Sequence, residues 1–162
     1  MAMQRNVART LYFVMLGMAL AGVSAGGQSV MYTADTIQWT DGPASLPKGA
    51  KMAVIKGDPT QQGLFTMRLK LPANYKIPPH FHPADEHVTV ISGKARIGMG
   101  DTFNESQGKE LSAGSFMAMT AQTKHFAWTE EETVIQLHGM GPWGITYVKA
   151  GDDPRQTQTS SR

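Results

Sequence analysis

Short runs of alternating apolar and polar residues fill the chain from about residue 51 onward. Within these runs apolar and β-branched residues recur at every second position, a period typical of strands with one buried face. Turn-forming sequences such as Gly57-Asp58-Pro59 and Gly139-Met140-Gly141-Pro142 separate the runs. No window of a dozen residues downstream of residue 25 keeps a helical period. The predicted strands are 51–56, 64–71, 86–91, 95–99, 115–119, 125–129, 133–138 and 144–149.

This pattern predicts an all-β domain. Many short strands at regular spacing, joined by Gly-rich turns, are typical of a β-sandwich or barrel, and the chain length suits a small jelly roll. With 162 residues and 41% hydrophobic residues, the chain is long and apolar enough for one domain with a packed core. We predict a polar N-terminal arm over 26–50, a barrel over 51–149 and a flexible tail over 150–162, with a polar loop over 101–110.

The first 25 residues have the pattern of a secretory signal. Arg5 and Arg9 precede an apolar run over 11–23, which ends in Val23-Ser24-Ala25 with small residues of the kind that a signal peptidase needs. The alternative is an uncleaved membrane anchor, but the apolar run is short for a span of about 20 residues. We expect cleavage near Ala25, a secreted or periplasmic protein, and no stable membrane association after cleavage.

Charge and cysteine content narrow the classes of partner. Without Arg5 and Arg9, the 15 basic residues fall to 13, which equals the 13 acidic residues, so the mature chain is formally neutral. Basic stripes with interleaved aromatic residues are not found in the sequence, and we expect no nucleic-acid partner. The chain has no Cys and forms no disulfide, so an oxidising compartment is permitted but not required.

Two separated stretches carry residues with metal-binding chemistry. His80 and His82 are two positions apart, so on a strand both imidazoles point to one face and can reach one ion. Glu86 adds a carboxylate on the same side if extended structure resumes after Pro83, and His125 adds a third imidazole if folding joins the stretches. Imidazoles with a carboxylate and no thiolate suit a five- or six-coordinate transition metal, with one or two positions left for water, dioxygen or substrate. The alternative is an exposed, proline-flanked turn with two incidental histidines.

The roles of two further histidines, His87 and His138, depend on which face of the sheet they point to. His87 is expected to face away from His80 and His82 and to have a structural role. His138 and Gln136 share a face with Val134, and the sequence leaves open whether that face is the interior. If it is, His138 is a candidate catalytic residue that would orient metal ligands or polarise a substrate.

The spacing of the metal-binding residues resembles that of the cupin superfamily. The run from His80 to Gly93 reads H-x-H-x3-E-x6-G, as in the first cupin motif. The second motif, G-x5-P-x-G-x2-H-x3-N, aligns in spacing with Gly114, Thr120, Gln122, His125 and Thr129. The departures from the family pattern are Asn74 for Gly, Thr120 for Pro, Gln122 for Gly and Thr129 for Asn. Gln adopts the left-handed backbone conformation less readily than Gly. The motif therefore does not predict the conformation of the turn before His125.

The resemblance covers about residues 51–149 and implies a double-stranded β-helix, the cupin jelly-roll barrel. It implies one divalent transition metal ion per chain, with iron, manganese, nickel, zinc and copper not distinguished, and a homodimer paired through the N-terminal arms. The ligands that it implies are His80, His82, Glu86 and His125.

Three functions follow from this resemblance as alternatives. The first is a secreted metal-dependent enzyme that acts on a small molecule, of dioxygenase, isomerase or lyase type, with Glu86 available as a general base. The second is a non-catalytic cupin that binds a metal or ligand as a sensor or carrier of the cell envelope. The third is a metal-free barrel that serves as a structural or partner-binding module. One fold hosts many functions, so the resemblance does not choose among them.

Overall fold

The computed structural model describes residues 29–157, which form two antiparallel β-sheets. The predicted signal, residues 1–25, lies outside the described residues. Within the described range no helix is long and apolar enough to cross a membrane. The strands there are β1 (Thr40–Asp41), β2 (Lys51–Lys56), β3 (Gly63–Leu71), β4 (Lys76–Phe81), β5 (Glu86–Ser92), β6 (Lys94–Met99), β7 (Lys109–Ser112), β8 (Phe116–Met119), β9 (His125–Thr129), β10 (Thr133–Gly141) and β11 (Thr146–Tyr147).

The sheet order is that of a jelly roll. A six-stranded sheet has the order β1-β2-β3-β10-β5-β8, and a five-stranded sheet has the order β11-β4-β9-β6-β7. From β3 to β6, and again from β8 to β11, successive strands lie in opposite sheets. The predicted all-β cupin fold is confirmed, in the form of two facing sheets rather than one closed cylinder of strands.

The core lies between the two sheets because each strand turns one face inward. On β3, Phe65, Met67 and Leu69 are buried, while the residues between them are only half-buried. The paired strand β10 buries Ile135 and Leu137 in the same way. Burying an apolar side chain of this size stabilises the fold by about 1.5–3 kcal/mol, so the alternation fixes which face of each strand is internal.

Three strands of the described range, β1, β4 and β7, were not among those predicted from the sequence. Strand β4 contains Pro78 and Pro79, which lack the N–H that a regular sheet needs. The pairing of β4 with β9 shifts between Ile77 and His80, so both prolines sit at an irregularity where no ladder hydrogen bond is required of them. Strand β7 covers the end of the predicted polar loop and pairs with β6 at the sheet edge.

The predicted flexible tail has regular structure as far as residue 157. A 3-10 turn, Ala150–Asp152, precedes one helical turn, α1 (Pro154–Thr157). Arg155 forms an ion pair with Asp153 at 2.6 Å and donates a hydrogen bond to the carbonyl of Ile145 at 3.3 Å. The hydrogen bond to Ile145, the residue before β11, attaches the segment to the domain, which a polar composition alone does not reveal.

Residues 43–47 of the predicted arm form a loop that two buried tyrosines hold in place; we call it the covering loop. The hydroxyl of Tyr147 donates a hydrogen bond to the carbonyl of Ser45 at 2.8 Å. The hydroxyl of Tyr75 donates one to the carbonyl of Pro47. Burial raises the pKa of both phenols, so both remain protonated donors at neutral pH.

Candidate metal centre

The structure brings His80, His82, Glu86 and His125 together between the sheets. His80 lies on β4 and is the direct pairing partner of His125, the first residue of β9. Glu86 is the first residue of β5, in the opposite sheet. All four are buried, with exposed fractions of 3%, 7%, 6% and 2% respectively. The three imidazoles offer ring nitrogens that all lie within 4.8 Å of one another.

Glu86 lies beside two of these rings without a normal hydrogen bond. Its Oε1 is 3.5 Å from Nε2 of His82, and its Oε2 is 3.3 Å from Nε2 of His125. Charge-assisted N–H···O bonds are about 2.7–2.9 Å long. Nε2 of His82 and Oε2 of Glu86 are buried and have no hydrogen-bond partner among residues 29–157. An unsatisfied buried polar group costs about 1–3 kcal/mol, and a divalent cation between these atoms would satisfy them. The residues therefore fit a transition metal ion.

A backbone carbonyl fixes the orientation of each imidazole. A carbonyl oxygen can only accept, so Nδ1 of each ring carries the hydrogen and Nε2 keeps the lone pair that a metal needs. The three acceptors come from different parts of the chain. The Nδ1–H of His80 donates to the carbonyl of Pro78 at 2.7 Å. That of His82 donates to the carbonyl of Gly144 at 2.7 Å, and that of His125 to the carbonyl of Thr123 at 2.9 Å.

The electrostatic environment shifts the pKa values of the three histidines in different directions. Burial, together with the neighbouring imidazoles of His125 and His82, holds the pKa of His80 well below its ordinary value. Burial also lowers the pKa of His82. For His125 burial acts in the same direction, but the nearby negative charge of Glu86, together with the carbonyl of Thr123, outweighs it and raises the pKa. His80 and His82 are therefore neutral at pH 7, the form that binds metals.

The turn before His125 is kept although Gln122 stands in place of Gly. Gln122 adopts a φ of 64°, the left-handed conformation that glycine favours. Its backbone N–H donates to the carbonyl of His82 at 2.9 Å, which ties the two halves of the site together. Asn74 likewise has a φ of 58°. Two of the departures from the motif thus preserve its backbone geometry.

A cavity of about 210 Å³ opens beside the four residues. His80, His82 and Glu86 form one part of the lining, and the covering loop contributes Pro43, Ser45 and Leu46 to it. The remaining surface is mainly apolar.

Trp143 and Gly144 are site residues that sequence reasoning did not single out. The Trp143 ring stacks on His82, with ring centroids 4.3 Å apart and planes 16° apart. Gly144 supplies the carbonyl that accepts from the same imidazole. In the sequence Trp143 was one of several aromatics suited to a core, and its place after a Gly-Pro turn was the only local signal.

The structure does not bring His138 to this site. Because Leu137 points into the core, the adjacent His138 lies on the outer face of the six-stranded sheet. It is the direct strand partner of His87, and the two ring centroids are 5.1 Å apart. The interior alternative for His138 is therefore wrong, and its candidate catalytic role is withdrawn. His87 faces away from the cavity as predicted.

Solved structures of low sequence identity share this fold. The polyketide cyclase RemF from Streptomyces resistomycificus aligns with a TM-score of 0.63 and 14% identity, over 82% of this chain and 94% of that chain. A candidate acetylacetone dioxygenase from Methylibium petroleiphilum PM1 aligns with a TM-score of 0.59 and 17% identity, again over 82% and 94%. An RmlC-like cupin from Shewanella frigidimarina NCIMB 400 aligns with a TM-score of 0.54 and 12% identity, over 70% and 92%. At these identities the likeness shows the fold.

Comparison with sequence families gives a more direct assignment. No curated protein matches the chain. A family described as a domain of unknown function, DUF4437, matches residues 27–145, which include both halves of the candidate metal centre. The chain therefore belongs to the DUF4437 family and has the cupin fold.

Proposed function

We propose that this protein is a metal-dependent enzyme that acts on a small molecule. His80, His82, Glu86 and His125 would hold one divalent transition metal ion. The observation that carries the proposal is the pair of buried, unpaired atoms, Nε2 of His82 and Oε2 of Glu86, next to a cavity. Supporting it, the cupin structures of similar fold include a polyketide cyclase.

In the proposed enzyme, the three imidazoles would bind the cation, and Glu86 would accept a proton from the substrate. Three imidazoles with fixed rings present Nε2 toward one place, so little reorganisation is needed when a cation binds. Glu86 borders the cavity and has only long contacts to His82 and His125, which leaves its carboxylate able to act as a general base. The ion would supply Lewis acidity toward a carbonyl or hydroxyl, or redox chemistry with dioxygen. An isomerase, a lyase and a dioxygenase are each compatible with such a site.

A non-catalytic binder is the second candidate function. The enclosure of the four residues favours it, because a sensor or carrier needs no position for substrate at the ion. Water relaxation measured on the Mn(II) form separates the two. An enzyme should show an exchangeable water that small chelating acids displace, and a binder should show neither effect.

The test of the metal centre is metal content per chain after purification from the native compartment. We expect one ion per chain in the wild type, none in His125→Ala, and one in the control His138→Ala, whose imidazole lies on the outer face. Absence of metal from all three proteins, or equal metal in all three, would refute the proposed site.

Export and assembly are further parts of the proposal. We propose that residues 1–25 direct export to the periplasm or exterior and are removed near Ala25, which N-terminal sequencing of the mature protein tests. We also propose a homodimer, as in the resemblance-based prediction. Light scattering that gives a monomer over a wide concentration range would contradict the dimer.

A further inference from the structure

The cavity beside the candidate metal centre is polar where it meets the centre and mainly apolar elsewhere. Apart from the part formed by His80, His82 and Glu86, its surface comes mainly from aliphatic and aromatic side chains of both sheets and of the covering loop. Those on which the argument depends are Leu46, Met67, Leu69, Leu137 and Ile145.

Away from the candidate metal centre, the described residues of the lining offer no cationic side chain to balance a charged group on a substrate. Among the cavity-lining residues in the part of the chain that the structure describes, none is Lys or Arg. Outside the candidate metal centre, the polar side-chain groups there are the hydroxyls of Ser45 and Thr60 and the indole N–H of Trp143. The hydroxyl of Thr60 already donates to Asp58 at 2.7 Å. A carboxylate or phosphate placed along this surface would lose its water without gaining a partner, which is strongly unfavourable.

We infer that the cavity takes a small molecule with an uncharged, apolar body and with oxygen donors at one end only. The donor end would lie toward His80, His82 and Glu86, and the apolar body would lie against Met67, Leu137 and the covering loop. This inference rests on the proposed function, because the metal ion would orient the donor end. At about 210 Å³ the cavity is smaller than the roughly 300–1,000 Å³ typical of sites for drug-sized ligands. The preferred molecule is accordingly small.

Binding of hydroxamates to the full chain loaded with Co(II) tests this inference. Hydroxamates carry two oxygen donors at one end and can be varied at the other. The three probes are acetohydroxamate, hexanohydroxamate and the monohydroxamate of glutaric acid, whose far end is a carboxylate. Affinities are measured from the change in the Co(II) absorption spectrum during titration.

We expect hexanohydroxamate to bind at least tenfold more tightly than acetohydroxamate, because each buried methylene adds up to about fourfold in affinity. We expect it also to bind at least tenfold more tightly than the glutaric acid probe. Cobalt binding followed by equal or tighter binding of the glutaric acid probe would overturn the inference alone. Absence of a Co(II) spectrum before any hydroxamate is added would overturn the proposed function, and this inference with it.

A pair of arginine variants tests whether the lining sets the preference. Leu46→Arg places a cation in the cavity lining, at a half-buried residue of the covering loop, and it should improve binding of the glutaric acid probe relative to hexanohydroxamate by about tenfold. The matched control is Leu64→Arg, at an exposed residue of β3 outside the cavity, which should leave the ratio unchanged. Both variants must bind one Co(II), which reports an intact fold. An unchanged ratio in Leu46→Arg with Co(II) bound would overturn the inference.

Discussion

His82 receives both of its orienting contacts from one short segment after β10. Gly144 accepts the hydrogen bond from Nδ1, and Trp143 stacks on the ring. His82 itself follows β4 in the other sheet. The packing of the two sheets and the direction of the His82 Nε2 are therefore linked, because this candidate metal ligand follows a strand of one sheet and is positioned by a segment that leaves the other.

Replacing Trp143 with Ala should weaken metal binding as well as stability. The half-buried indole packs on His82 and Phe65, so we expect the free energy of unfolding to fall by about 2 kcal/mol. With the His82 ring less constrained, metal affinity should fall by about tenfold, a typical effect for residues that support metal ligands. Denaturant unfolding and metal titration measure the two effects.

Trp39→Ala is the matched control for this variant. Trp39 lies on the N-terminal arm, where Nζ of Lys70 is 4.8 Å from its ring centroid, and it does not line the cavity. Its loss should leave metal affinity unchanged. Equal metal affinity in the wild type and Trp143→Ala would show that the stacked indole does not orient His82.

At the scale of secondary-structure elements, the turns of the two motifs differ in how tightly they pack. Gly93 joins β5 to β6, and Gly114 precedes β8; their φ values are 72° and 87°. A Cβ at Gly93 would lie 2.5 Å from the carbonyl oxygen of Glu132, whereas a Cβ at Gly114 would have no atom of the described part of the chain within 4 Å. Gly93 is therefore required both by its backbone conformation and by the lack of space for a side chain, whereas Gly114 is required by its conformation alone.

This difference predicts unequal costs for two alanine variants. Gly114→Ala should lower the free energy of unfolding by about 1 kcal/mol, the cost of a left-handed residue with a side chain. Gly93→Ala should lower it by about 3 kcal/mol or more, because the chain must also move away from Glu132. Urea unfolding of the two variants measures the difference, and equal losses would show that the Gly93 turn yields without cost.

The covering loop should loosen when its tyrosine anchors lose their hydroxyls. Tyr147→Phe leaves the carbonyl of Ser45 without its donor, so we expect a stability loss of about 1 kcal/mol. Trypsin should then cleave faster after Lys48, an exposed residue that follows the loop. Tyr32→Phe, on the exposed part of the arm, is the control and should not change the rate. Unchanged cleavage in Tyr147→Phe would mean that this hydrogen bond does not restrain the loop.

Sequence pattern predicted the elements whose signal is local and missed those set by tertiary contacts. Strands such as β3 and β5 show the alternation of a half-buried strand, and their positions were predicted to within a residue. Strand β4 was missed because two prolines argue against a strand, and only the shifted pairing with β9 accommodates them. His138 could be grouped with its neighbours on a face, but which face is internal depends on packing against the other sheet.

At the scale of the whole molecule, the candidate metal centre joins both sheets. His80 and His125 belong to the five-stranded sheet and Glu86 to the six-stranded sheet. A cation held between them would add a cross-link that the unfolded chain lacks, so metal binding and global stability should be coupled.

Thermal unfolding with and without added metal measures this coupling. At a free metal concentration 100 times the dissociation constant, binding stabilises the folded state by about 2.7 kcal/mol, and the midpoint temperature should rise by about 10 °C. The rise should vanish in His80→Ala and persist in His87→Ala, whose imidazole is on the outer face. A rise of the same size in His80→Ala would place the stabilising metal elsewhere.

The carbonyl bonds that orient the three imidazoles also determine how the site responds to mutation. Every amino acid has a main-chain carbonyl, so no side-chain replacement at Pro78, Thr123 or Gly144 removes the acceptor itself. Substitutions at these positions can act on the rings only by moving the backbone. The three acceptors therefore survive point mutation at these positions, whereas a change at a residue that packs on a ring, such as Trp143, can still loosen that ring.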